Sequence, residues 1–99
     1  MNNKMKLQEL CESNLEEHKA LLTSIVLASE RVGAEFKDFT SYVVDIKQEF
    51  RFMTIEDIQK AIRSGSLGKY GRTYKFTIQE VCFWVREYLK EKNKGGKAV

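Results

Sequence analysis

Proline is absent from this 99-residue chain, histidine occurs once and cysteine twice. With no proline, no position is barred from a helix interior by a missing N–H. His18, Cys11 and Cys82 are too few and too widely spaced for a structural zinc site within one chain, so no metal or cofactor is expected. Both cysteines fall in helical patterns among apolar neighbours and read as buried thiols of a reducing cytosol, with a disulfide between them as the alternative. No apolar run approaches the ~20 residues of a membrane-spanning helix. The first residues, Met1 to Glu9, are polar and lack the apolar segment of a secretory signal, so a cytoplasmic, soluble protein is expected.

Acid is missing from one stretch in particular. Between Asp57 and Glu80 there is no carboxylate, yet Lys60, Arg63, Lys69, Arg72 and Lys75 lie there. Tyr70, Tyr74 and Phe76 stand among these cations, with Gly65, Gly68 and Gly71 at three-residue spacing. Phosphate backbones favour exposed cations and accessible N–H groups, and unpaired bases favour flat rings. A solvated loop with its aromatic residues folded back onto the core has the same composition.

The net charge of +3 is unevenly divided. Residues 1–50 carry six basic and nine acidic side chains, and residues 51–99 carry eleven and five. This asymmetry fits a second half that binds a polyanion, and equally fits head-to-tail self-association.

What is present is mostly helical periodicity. The 42% hydrophobic content suits one globular domain with a modest core. From about residue 4 to 31, Leu7, Leu10, Cys11, Leu15, Leu21, Leu22, Ile25, Val26 and Ala28 recur mainly at three- and four-residue steps. That segment is one bent helix or two, with Ser13 or Asn14 available to cap a fresh start and Gly33 to stop it. Phe36, Phe39, Val43, Ile46 and Phe50 then form an apolar stripe expected to be buried, in the monomer or in a dimer. Thr54 with Asp57, and Thr77 with Glu80, resemble capping boxes, stapled by Met53–Ile58 and Phe76–Val81. They predict helices over 54–64 and 77–91, with Gly65 ending the former. The last helix presents Ile78, Val81, Cys82, Val85, Tyr88 and Leu89 on one face, with Phe83 and Trp84 outside it. Residues 92–99 read as a disordered basic tail after a single helical domain, 1–91. The expected fold is all-α: a bundle of about four helices with a long, Gly-rich, basic loop over 65–76 between the last two. Arg72 to Ile78 alternates in a β-like manner, without enough partners to predict a sheet.

Catalytic chemistry is hard to find. His18 sits among Glu16, Glu17 and Lys19 as a surface helix residue, and the paired carboxylates read as solvated helix faces, so no enzyme is expected. The glycine spacing lacks the preceding strand and the lysine–hydroxyl pair of a phosphate loop. A helix-turn-helix DNA reader would need a turn of about 3–4 residues, far shorter than this connection.

The pattern Met-Thr-Ile-Glu-Asp-Ile-x-x-Ala-Ile (53–62), Gly-x-x-Gly-Lys-Tyr-Gly (65–71) and a final helix with Trp84 and Tyr88 resembles uncharacterised small helical proteins of bacteriophages and mobile elements of gut bacteria. The likeness spans residues 52–88. It implies a small cytoplasmic accessory of phage replication or host interference, and it transfers no catalytic residue. The leading expectation is nucleic-acid binding through Lys60, Arg63, Lys69, Arg72 and Lys75 on phosphates, with Tyr70 and Tyr74 stacking on bases. The alternative is a protein-interaction module without nucleic-acid binding, either a phage protein that binds a host factor or a homodimer through the Phe36–Phe50 stripe or the Phe83–Trp84 edge.

Overall fold

The computed structural model describes the backbone of residues 2–97 and the side chains of residues 15–93. Four helices account for its regular structure, and no strand occurs among the described residues. They are α1 (Asn2–Arg31), α2 (Thr40–Glu49), α3 (Ile55–Ser66) and α4 (Ile78–Lys97). α3 packs against α1 and α4, and α2 against the same two helices, so four elements surround one core. No helix among the described residues is long and apolar enough to cross a membrane.

Local signals set most helix ends. α1 is one continuous helix and stops at Gly33, whose φ of 76° is the left-handed conformation glycine accepts without strain. Ala34 N–H reaches Ser29 O at 2.8 Å and Gly33 N–H reaches Glu30 O at 3.1 Å, the paired bonds of a Schellman motif. α3 ends in the same way, beyond the expected stop. Gly68 takes φ 93°, with Lys69 N–H on Ser64 O and Gly68 N–H on Gly65 O. The N-termini follow the threonines: Thr54 Oγ1 accepts from Asp57 N–H at 3.1 Å, and Thr77 Oγ1 from Glu80 N–H at 3.2 Å. The return half of each capping box is replaced by a longer-range bond. Asp57 instead accepts from Tyr88 Oη and Lys92 Nζ of α4, each at 2.9 Å, and Glu80 accepts from Thr73 Oγ1. These bonds from Lys92 and Tyr88 hold the Asp57 carboxyl below its usual range.

Gly65 does not end α3; it lies inside it, buried, against α4. A Cβ there would fall 2.0 Å from Trp84 Cγ, so the missing side chain is what lets the indole lie on the α3 backbone. Trp84 is fully buried and central, where the helical stripe had placed it outside the core face. Its ring neighbours Phe76, which also meets Phe39 and Tyr42. Ile58, Ala61 and Ile62 of α3 complete this region with Leu21, Ile25 and Ala28 of α1.

Two expected core positions are solvated. Leu15 is largely exposed, and Phe36 is 80% exposed. α2 begins at Thr40 because Asp38 Oδ1 takes both the N–H and the hydroxyl of Thr40, turning the chain sharply and leaving Phe36 before the helix. The rest of that stripe (Phe39, Val43, Ile46, Phe50) is buried within the monomer. Cys82 is a free, half-buried thiol whose pKa is pushed up by burial. Leu7, Leu10 and Cys11 lie outside the described side chains. α4 continues to Lys97, past the expected end near residue 91, and the expected tail reaches beyond the described residues.

Candidate nucleic-acid interface

Residues 67–77 join α3 to α4, and the seven predicted contact residues divide into two groups with different neighbours. Lys69 and Tyr70 turn toward α4. Lys69 Nζ pairs with Glu91 at 2.9 Å, an ion pair that raises the pKa of the lysine. Tyr70 rests against the core with its hydroxyl enclosed and without a partner among the described residues, and burial raises its pKa. Its ring is therefore a packing group in this structure rather than the free stacking face expected of it.

The other five, Lys60, Arg63, Arg72, Tyr74 and Lys75, line a furrow that Lys69 and Tyr70 do not border. Three adjoining concavities build it. One lies between α1 and α3 and is lined by Arg31, Lys60 and Arg63. The next shares Arg31 and adds Gly68, Gly71 and Arg72. The third shares Val32 and Thr73 with the second and runs between residues 32–37 and 73–76, taking in Phe36, Lys37, Tyr74 and Lys75. Six cations border the furrow: Lys60, Arg63, Arg31, Arg72, Lys75 and Lys37. Glu56 and Glu35 line it, Glu56 joined to Lys60 at 3.5 Å, and the Glu80 carboxylate accepts from Thr73 at its border. Among the described residues, Arg31, Lys37, Arg63, Arg72 and Lys75 form no ion pair.

Several bonds place these cations. Arg31 Nη1 donates to Ser66 Oγ at 2.9 Å, which fixes the end of α1 against the end of α3. Lys37 Nζ lies 5.5 Å from the Tyr42 ring centroid and 5.9 Å from that of Phe39, and the Arg72 guanidinium lies 5.6 Å from the Tyr74 ring. Neither the N–H nor the C=O groups of residues 72–76 enter a backbone–backbone hydrogen bond, and these residues form no strand. Residues 73–76 border the third concavity.

Arg31, Phe36 and Lys37 are the members that sequence reasoning missed. They belong to the acidic half of the chain, and only the return of residues 32–37 alongside 73–76 adds them to the basic surface. No group of three or more metal-ligating side chains occurs among the described residues. Comparison with known protein families, curated proteins and solved structures found no match, so the functional reading rests on the chain's own residues.

Proposed function

We propose that this protein is a non-enzymatic accessory that binds nucleic acid along the furrow, chiefly through its phosphates. The observation that carries the reading is the set of six cations, five of them without a carboxylate partner among the described residues, on three concavities that share lining residues. A polyanionic backbone is the ligand such a path fits, because each phosphate neutralised releases a counterion and the gains accumulate along the chain. Little base sequence preference is expected. The reading suits a cytoplasmic protein of phage or mobile-element origin, as the resemblance of residues 52–88 implies.

Fluorescence anisotropy with single-stranded and duplex DNA, over a range of salt, tests it. Removing one phosphate-binding cation should lower the slope of log affinity against log salt by about 0.7–0.9. Arg63→Ala, Arg72→Ala and Lys75→Ala combined should therefore flatten the slope by about 2–3. Lys69→Ala should change it far less, because Lys69 faces α4 and holds Glu91. No binding by the wild type at low salt would overturn the reading. The exposed Phe52, with Val44 and Phe83 also partly exposed, would then favour a protein partner.

A further inference from the structure

The end of the furrow between residues 32–37 and 73–76 differs from the rest in carrying two largely exposed aromatic rings, Phe36 touching Phe39 edge-on and Tyr74 beside the Arg72 guanidinium. Phe36 is 80% exposed and Tyr74 is 87% exposed, and both line the same groove of about 430 Å³. A solvated phenylalanine forgoes the burial that a core position would give it, and this one lies before the turn that Asp38 makes with Thr40 at the start of α2. Lys37 and Lys75 border the same groove, Arg72 lies against Tyr74, Glu35 lines it, and Glu80 is held at its edge by Thr73.

We propose that this groove receives an unpaired base of a single strand, stacked on Phe36 and Tyr74, with the flanking phosphates at Lys37 and Lys75. The proposal rests on the nucleic-acid reading and adds strand selectivity to it. A duplex keeps its base faces covered by stacking, so it gains the cations of the furrow and nothing from the rings. A single strand gains both. Selectivity for unpaired strands thus resides in two side chains from opposite halves of the sequence, brought to one groove by the fold.

The test titrates full-length protein at constant salt with three labelled probes: oligothymidine, a duplex of the same length, and an abasic strand of the same length. Wild type should prefer oligothymidine to the abasic strand. Phe36→Ala and Tyr74→Ala should each weaken oligothymidine binding by roughly 5- to 150-fold, the range for removal of a single stacked ring. Their binding to the duplex and to the abasic strand should stay within about twofold, since phosphates carry those affinities. Tyr74→Phe should bind as wild type, because the ring and not the hydroxyl stacks. Unchanged melting of the variants would confirm that exposed rings were removed with the fold intact. Equal oligothymidine affinity in wild type and both alanine variants would overturn the proposal, as would equal weakening on all three probes. In either case, a flattened salt slope in the triple cation variant would leave the furrow reading standing. Wild type that bound none of the probes would overturn both.

Discussion

Gly65→Ala is the substitution on which helix propensity and tertiary packing give opposite answers. At an exposed mid-helix position, alanine in place of glycine stabilises by about 1 kcal/mol. Gly65 is buried against Trp84, and an added Cβ would stand 2.0 Å from the indole Cγ, where ordinary van der Waals separation begins at 3.4 Å. The two atoms must separate by about 1.4 Å. Cγ is the first atom beyond the Trp84 Cβ, so a rotamer change that moves the ring tip gives little relief and α4 itself must shift. Overpacking typically costs about 1–3 kcal/mol, and moving a whole helix belongs at the upper end. After the propensity gain is subtracted, about 2 kcal/mol of destabilisation remains. For a domain of this size that lowers the melting temperature by roughly 8–16 °C. Urea and thermal melts followed by circular dichroism measure it, and Trp84 emission reports the displaced helix directly. In a Trp84→Ala background the clash is gone, and Gly65→Ala should be neutral or stabilising, which makes the pair strongly coupled. A Gly65→Ala protein that melts at or above wild type would refute the close α3–α4 approach.

Two further outcomes follow from single side chains. Asp57 has a depressed pKa through Lys92 and Tyr88, so its contribution to stability is complete above the ordinary aspartate range and is lost as pH falls through the depressed value. The gap in urea midpoint between wild type and Asp57→Asn should therefore be full at neutral pH and close on acidification, and a gap independent of pH would contradict the α3–α4 bond. Tyr70→Phe removes an enclosed hydroxyl that has no partner among the described residues, so stability should hold or rise by up to about 1–3 kcal/mol. A clear drop in stability would mean that the hydroxyl is bonded after all.

The parts of this fold that were legible in the sequence are those decided within a few residues. Thr54 and Thr77 cap because a β-hydroxyl reaches the N–H three residues on, whatever packs nearby. Gly33 stops α1 because a left-handed residue is needed there. The same rule applied at Gly65 chose the wrong glycine, since two stood within one turn and only the packing of Trp84 separates their roles. Phe36 continued an apolar period that Asp38 interrupts, so periodicity carried the stripe one residue too far.

The candidate site divides along the same line. The run of cations without acid was evident from composition, and five of its seven named residues lie on one furrow. Composition assigns no direction to a side chain, and the Schellman turn at Gly68 is followed by Lys69 and Tyr70 facing α4 while Arg72 to Lys75 face the furrow. Arg31, Phe36 and Lys37 join the furrow because folding sets two segments far apart in the chain side by side. Sequence by itself therefore determined helix type, caps and the pool of charge, because those depend on bonds and compositions local to the chain. Tertiary structure alone decided which glycine bends and which admits an indole, which cations are already paired, and which rings stay bare, because each of those depends on a neighbour that folding supplies.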